Sequence, residues 1–249
     1  MNQEYYSPRK FSFLPLIVKN LLIINALFYV ATLALQNFEI DLTHYLGLYY
    51  PQSDMFRPWQ IVTYMFMHGG FRHLFFNMFA LWMFGYTIEN LWGGKRFLIY
   101  YFVTGIGAAA VHILVQFIQL KMAMMHLSPD ESAIVFEQGQ RIFSMGKNFI
   151  NEYQAINLIL NVPTVGASGS IYGILLAFGM LFPNALIYLY FFIPIKAKWF
   201  VILYGGVELI SGVMGTHDGV AHFAHLGGMI FGVLLILLWR KRGNMDYYY

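Results

Sequence analysis

Residues 219–242 read GVAHFAHLGGMIFGVLLILLWRKR, and this stretch decides the class of fold. No charged side chain interrupts it between Val220 and Leu238, a length close to what a helix needs to cross the hydrocarbon core of a bilayer. Small residues recur every four positions, as in membrane helices whose backbones approach closely: Ala224, Gly228 and Gly232. The stretch therefore predicts a tightly packed membrane helix that carries a histidine, His225, near its start.

The composition of the whole chain has the same character. Of its 249 residues, 59% are hydrophobic and 11% are charged, whereas a soluble domain is roughly 45–50% apolar and about 25% charged. Cysteine is absent, which excludes disulfides, a thiolate nucleophile and a cysteine-ligated metal. We assign the net charge of +3 to membrane orientation rather than to a nucleic-acid partner, and we expect no cofactor and no metal.

Six apolar runs are candidates for spanning helices. They lie near Leu14–Leu35, Leu74–Leu91, Phe97–Gln119, Ser168–Phe182, Phe200–Val213 and Val220–Leu238. Pro183 and Pro194 interrupt the apolar segment between the fourth and fifth runs, which is either a connector that dips into the membrane interface or an extension of a span. The predicted fold is an all-α bundle of six transmembrane helices.

Basic residues predict the orientation of this bundle, because cytoplasmic loops are enriched in lysine and arginine. The basic clusters alternate with the six spans: Arg9 and Lys10, Lys95 and Arg96, Lys196 and Lys198, and Arg240, Lys241 and Arg242. Both termini should therefore be cytoplasmic, in a multi-pass protein that we expect in a bacterial inner membrane. The first ten residues lack the apolar core of a removable signal peptide. We divide the chain into a cytoplasmic segment, a membrane domain and a cytoplasmic tail: 1–13, 14–240 and 241–249.

The remaining loops, 36–67, 120–165 and 214–219, should face the opposite side. In the second of them four side chains are spaced loosely like one face of a surface helix: Ile142, Phe149, Ile150 and Tyr153. The fifth span is short and rich in glycine, and we expect it to move aside for a substrate helix.

Ser168 lies in the run GASGSIYG at 166–173, where the chain enters the fourth predicted span. Unpaired backbone N–H groups and the positive dipole end of a helix point outward there, and both stabilise an oxyanion formed when a serine attacks a carbonyl. Gly166 allows a substrate backbone to approach closely. The alternative use of this run is helix packing, because Gly169 and Gly173 form a GxxxG pair. The two uses are compatible.

His225 is the candidate base for this serine, whose hydroxyl is a poor nucleophile at neutral pH. It lies at the same end of the sixth span, and the small-residue stripes of the fourth and sixth spans predict that these helices pack together. No Asp or Glu stands on the nearby helix faces. We therefore predict a Ser168–His225 dyad in which Tyr172, one turn after Ser168, orients the imidazole in place of a carboxylate.

A third polar cluster opens the second span. His73 and Asn77 are four residues apart, share one helix face and can donate hydrogen bonds, as side chains of an oxyanion hole must. His68, five residues before His73, is either a structural hydrogen-bond partner or a substrate contact. Glu89 lies at the far end of this span, and we interpret it as a structural hydrogen-bond acceptor.

Three motifs at these positions resemble the rhomboid family. They are HxxxN, GxSG and AHxxGxxxG, which begin at His73, Gly166 and Ala224. The resemblance extends over about residues 14–240. It implies a six-helix intramembrane serine endopeptidase that cleaves the transmembrane segments of other membrane proteins within the lipid bilayer.

The resemblance also implies a role for each site residue. By this resemblance Ser168 is the nucleophile and His225 the general base. The oxyanion is bound by His73, Asn77 and the backbone N–H of Ser168. Tyr172 lies beneath the histidine, and His68 occupies a recurrent position of the family. One departure is Trp59-Gln60, where the family commonly has a Trp-Arg pair. It bears on the contacts of the first loop with the membrane and not on the chemistry.

Two other functions compete with this one. A zinc protease needs three protein ligands and a nearby carboxylate base, but HExxH is missing and Asp218 is the only acidic residue close in sequence to the histidines. The candidate ligands are His68, His73, His217, His222 and His225. A transporter usually shows repeated halves, and we find none. A catalytically inactive rhomboid-like protein that acts as a binding partner or chaperone is the remaining alternative, although both Ser168 and His225 are present.

Overall fold

The computed structural model describes residues 11–125, 127–150, 152–189, 192–215 and 219–242, and the chain in these ranges is mostly helical. The helices are α1 Leu16–Gln36, α2 Leu42–Leu46, α3 Gln60–Thr63, α4 Phe71–Trp92, α5 Gly94–Met124, α6 Pro129–Ser144, α7 Glu152–Asn161, α8 Ser168–Leu181, α9 Ala197–Met214 and α10 His222–Lys241. A turn of 3-10 helix, Tyr64–Phe66, follows α3, and the strands β1 Leu186–Leu189 and β2 Ile193–Lys196 pair as an antiparallel hairpin.

Four of the described helices are long and apolar enough to cross a bilayer: α1, α5, α9 and α10. They match the first, third, fifth and sixth predicted spans. The second and fourth predicted spans correspond to α4, with 22 residues, and α8, with 14. At a rise of 1.5 Å per residue α8 is only about 21 Å long, because Pro183 follows its end. The segment between α8 and α9 is a β-hairpin and extends neither helix.

Small residues let α10 pack against α8 and α5. Gly228 of α10 faces α8 so closely that a Cβ atom there would lie 1.9 Å from the carbonyl oxygen of Gly169. A Cβ atom at Gly169 would in turn lie 2.4 Å from the Cβ atom of Ala108 in α5. The predicted contact between the fourth and sixth spans is therefore confirmed. It brings the first turns of α8 and α10 side by side.

Glu89, near the end of α4, caps the start of α1. Its two carboxylate oxygens accept hydrogen bonds from the backbone N–H groups of Ile17, at 2.9 Å, and Val18, at 2.7 Å. The residue before α1, Pro15, provides no side-chain cap, so Glu89 satisfies two of the N–H groups that the first turn of any helix leaves unpaired. The prediction that Glu89 is a structural acceptor is confirmed.

Gln60 organises the segment that connects α1 with α4. The side chain is fully buried, and its Oε1 accepts hydrogen bonds from the backbone N–H groups of Tyr49 and Arg57 at 3.3 and 3.0 Å. Its Nε2 donates to the carbonyl oxygens of Tyr45 and Met55 at 3.3 and 3.0 Å. Gln60 stands where the family commonly has the Arg of a Trp-Arg pair, and its neutral amide holds the loop together by hydrogen bonds to the loop's own backbone.

Within the segment 120–165, the first residues complete α5, and α6 and α7 follow in place of one surface helix. The predicted helical face is wrong, because Ile142 belongs to α6, Tyr153 belongs to α7, and Phe149 lies between them. A small hydrophobic cluster joins this segment to the end of α5 and to the α1–α4 connection: Tyr50, Leu120, Val135, Ile156 and Leu160. Glu131 forms a capping box with Ser128 at the start of α6, and hydrogen bonds from the Ser128 backbone and from Tyr153 lower the pKa of Glu131.

Candidate active site

Ser168 is the first residue of α8 and follows a constrained bend. Gly166 has a φ of 130°, which favours glycine strongly, and a Cβ atom there would lie 2.8 Å from Nε2 of His73. The bend directs the serine hydroxyl towards α10, where Oγ of Ser168 lies 2.8 Å from Nε2 of His225. The predicted contact between the two residues is confirmed.

Tyr172 stacks on the imidazole of His225 one turn along α8. The ring centroids are 4.2 Å apart and the two planes differ by 6°. The hydroxyl of Tyr172 donates a hydrogen bond to Oε1 of Glu208, a residue of α9. The predicted place of Tyr172 beneath the histidine is confirmed, and the stacking restricts the tilt of the ring.

Glu208 corrects the expectation that no carboxylate reaches the site. Its Oε2 lies 2.6 Å from Nδ1 of His222 and 3.0 Å from Nδ1 of His225. The second contact is short, but its angle falls short of a well-formed hydrogen bond. Glu208 is the only acidic residue of α9, and an ionisable residue inside an apolar run is a functional candidate by default. That signal was present in the sequence, and the dyad prediction overlooked it.

His73 of α4 borders the bend at Gly166, and Asn77 lies one turn further along the same helix. Nδ1 of His73 accepts a hydrogen bond from the backbone N–H of Gly69 at 3.4 Å, which leaves Nε2 to carry the ring proton. Asn77 is 7% exposed, and its Nδ2 makes no hydrogen bond within the part of the chain that the structure describes. A buried donor without a partner is costly, so its presence here favours a ligand that supplies the acceptor.

His68 is buried beside His73, with the ring centroids 5.1 Å apart. Neither of its ring nitrogens makes a hydrogen bond of good geometry to the described residues. Burial and the neighbouring His73 lower the pKa of His68 to about 4, although the Phe66 backbone opposes this shift. His68 is therefore neutral at pH 7. His68 therefore adds a third polar side chain to the cluster formed by His73 and Asn77.

Comparison with known proteins identifies the family. The family model of the rhomboid domain matches residues 56–242, well over half of the chain. The chain belongs to the rhomboid family. Together with its apolar helices, this membership makes it an integral membrane protein.

The relatives of this rhomboid come from several groups of organisms. It is 28% identical to "Rhomboid protein 1, mitochondrial" of Saccharomyces cerevisiae over 70% of the chain and 40% of that protein. It is 26% identical to "RHOMBOID-like protein 5" of Arabidopsis thaliana over 72% of the chain and 44% of that protein. A shorter match, 42% identical, links 19% of the chain to 10% of "Rhomboid protease GluP" of Bacillus subtilis. The chain thus spans less than half the length of these relatives.

The zinc alternative can be tested on the described residues. Glu208, His222 and His225 have potential ligand atoms within 4.8 Å of one another, whereas His68 and His73 are not part of this group and His217 lies outside the described residues. In a tetrahedral zinc site with bonds of about 2.0–2.1 Å, ligand nitrogen and oxygen atoms lie about 3.3 Å apart. The 2.6 Å separation between Nδ1 of His222 and Oε2 of Glu208 is instead that of a hydrogen bond. The group fits a hydrogen-bonded network better than a metal centre.

Proposed function

We propose that this rhomboid is an intramembrane serine endopeptidase that hydrolyses peptide bonds in or near the transmembrane segments of other membrane proteins. The observation that supports the proposal most directly is the 2.8 Å contact between Oγ of Ser168 and Nε2 of His225 at the start of α8. A serine and a histidine in hydrogen-bond contact form the minimal unit of nucleophilic acyl transfer.

In the proposed reaction His225 transfers one proton in each half-reaction, from Ser168 to the leaving amine and then from water back to Ser168. As Oγ of Ser168 attacks the substrate carbonyl, its proton passes to Nε2 of His225. The imidazolium then donates this proton to the leaving amine as the C–N bond breaks, which leaves an acyl ester on Ser168. A water molecule attacks the ester, gives a proton to Nε2, and the same proton returns to Oγ as the acid product leaves.

Donors for the oxyanion come from two helices. The first N–H groups of α8, including that of Ser168, have no acceptor within their own helix. On α4, the ring N–H of His73 borders the bend at Gly166, and Nδ2 of Asn77 is buried without a partner among the described residues. Donors placed where charge develops, rather than on the ground-state carbonyl, lower the barrier to attack.

We also propose that α4 and α8 span the membrane with the four longer helices, with both chain ends on the cytoplasmic side. Trp92 at the end of α4 packs against Trp239 at the end of α10, with ring centroids 5.5 Å apart. The basic clusters next to these residues, Lys95 with Arg96 and Arg240 with Lys241 and Arg242, therefore share the end of the bundle that is far from Ser168. Mitochondrial and bacterial relatives occur together, so the comparisons do not favour the expected bacterial inner membrane.

A serine-reactive fluorophosphonate tests the proposal. We expect the purified protein to be labelled and to cleave a transmembrane substrate in lipid, and both activities to vanish in Ser168→Ala and His225→Ala. Ser170→Ala is the matched control, because Ser170 is two residues along the same helix and donates its hydroxyl to the carbonyl of Tyr101 at 2.7 Å. Labelling that survives Ser168→Ala would contradict the proposal. A wild type that is folded but neither labelled nor active would favour the inactive binding partner or chaperone.

A further inference from the structure

Glu208 brings a carboxylate from α9 into contact with two other helices. Tyr172 of α8 donates its hydroxyl to Oε1, and the Nδ1 atoms of His222 and His225 of α10 face Oε2 at 2.6 and 3.0 Å. The side chain of Glu208 is 9% exposed. A carboxylate at membrane depth costs free energy unless donors surround it, so this arrangement needs an explanation.

The carboxylate determines which ring nitrogen of each histidine carries the proton. An ionised carboxylate only accepts hydrogen bonds, and therefore a neutral imidazole that faces it must present a protonated nitrogen. For His225 this places the proton on Nδ1 and leaves the lone pair on Nε2. Nε2 is the atom that faces Oγ of Ser168, so this tautomer is the one that can accept the serine proton.

We infer that Glu208 is a positioning residue that completes a Ser168–His225–Glu208 triad by holding His225 in the tautomer and orientation of a general base. This inference rests on the proposed protease function. Because Glu208 lies on α9 whereas the other two residues lie on α8 and α10, the triad forms only while α9 is packed against both helices.

The poor angle at Nδ1 of His225 fits a site described without substrate. Catalytic hydrogen bonds are often long or poorly aligned in such structures and tighten in the substrate complex. His222 has the shorter contact with the same oxygen, and Tyr172 holds the other oxygen. These two contacts keep the carboxylate in place beside His225 while the catalytic bond aligns.

Glu208→Gln is the decisive variant, because it keeps the shape of the side chain and removes its charge and one acceptor. We expect kcat to fall by about 10²-fold, at the lower end of what general acid–base catalysis contributes, with KM within about twofold. Glu89→Gln is the matched control. It alters an equally buried glutamate that caps α1 at the other end of the bundle, so it should lower the melting temperature and leave kcat unchanged.

A spectroscopic measurement tests the same inference without activity. In protein labelled with ¹⁵N-histidine, His225 should show a protonated Nδ1 and an unprotonated Nε2, and the Glu208→Gln variant should lose this preference. The signal is assigned by its disappearance in His225→Gln. If the wild type cleaves no substrate, the proposed function fails. The tautomer measurement would still show whether Glu208 holds the proton of His225 on Nδ1.

A second variant separates the two histidines. His222→Gln leaves Glu208 in contact with His225 and Tyr172, and we expect its kcat to fall less than tenfold. A loss equal to that of Glu208→Gln would overturn the inference, because Glu208 would then act through His222. A kcat of Glu208→Gln within twofold of wild type, or an unchanged tautomer of His225, would overturn it as well.

Discussion

The polar residues of the site differ in their roles: one transfers a proton, and another only donates a hydrogen bond. His225 contacts Ser168 through Nε2 and can take a proton, whereas Asn77 can only donate a hydrogen bond through its buried Nδ2 atom. A base is needed at every turnover, and loss of His225 should therefore remove all activity. Several donors stabilise the oxyanion together, so the loss of one of them should leave a slow enzyme.

Asn77→Ala tests this difference at the scale of one residue. We expect kcat to fall by about 10²–10³-fold, because the amide stabilises charge that appears only in the transition state. KM should change little, since the ground-state carbonyl gains less from the same hydrogen bond. Steady-state kinetics on a transmembrane substrate in lipid measure both constants. A higher KM at constant kcat would make Asn77 a substrate-binding residue.

At the scale of elements, the contact between α8 and α10 sets the distance between nucleophile and base. A Cβ atom at Gly228 would lie 1.9 Å from the carbonyl oxygen of Gly169, so Gly228→Ala must push the helices apart. We expect it to destabilise the fold by about 1–3 kcal/mol and to remove fluorophosphonate labelling. Melting temperature and labelling are the two measurements.

Gly206→Ala is the control for this substitution. A Cβ atom at Gly206 of α9 would meet nothing within 4 Å, and alanine is the better helix former by about 1 kcal/mol. Its stability and labelling should equal or exceed those of the wild type. Equal losses of stability and labelling in both variants would show that any added methyl group is harmful. The close contact at Gly228 would then not explain the effect of Gly228→Ala.

The mobility of α9 is a second matter at this scale. The helix packs on α8 and α10, and much of its apolar surface is exposed, including Val207, Ile210 and Val213. We propose that α9 moves to admit a substrate helix and returns to place Glu208 beside His225.

A reducible bifunctional thiol reagent that joins one cysteine introduced in α4 to one in α9 tests this movement, since the chain has no other cysteine. Cross-linking should abolish cleavage of a transmembrane substrate and preserve fluorophosphonate labelling, and reduction should restore cleavage. The two single-cysteine variants are the controls. Undiminished cleavage after complete cross-linking would exclude the movement of α9 as the route of entry.

At the scale of the whole molecule, the distribution of basic residues predicts which end of the bundle faces the cytoplasm. Single cysteines at exposed positions test it. Asp54→Cys lies in the connection before α4 and Ser144→Cys at the end of α6, whereas Lys95→Cys lies at the start of α5. A thiol reagent that does not cross the membrane should label the first two in intact cells and Lys95→Cys only after permeabilisation. The reverse pattern would invert the proposed topology.

Local geometry explains why much of the site could be predicted. Residues four apart on a helix share a face, which places His73 with Asn77 and Ser168 with Tyr172 whatever else the fold does. Span ends follow from the apolar runs, so Ser168 and His225 could be placed at the same depth. Close packing of α8 and α10 followed from glycines that recur every four residues.

The sequence by itself thus determined the membrane class, the order of the helices and the residues that meet on one helix or across glycine stripes. Only the tertiary structure decided that Glu208 turns towards His225, that the Gln60 side chain holds its loop by hydrogen bonds, and that two helices, α6 and α7, follow α5 within the segment 120–165. The physical reason is that lipid and protein interior are both apolar. In such a medium hydrophobic periodicity does not show which face of α9 points inward, and the rotation of a helix is set by partners that lie far away in sequence.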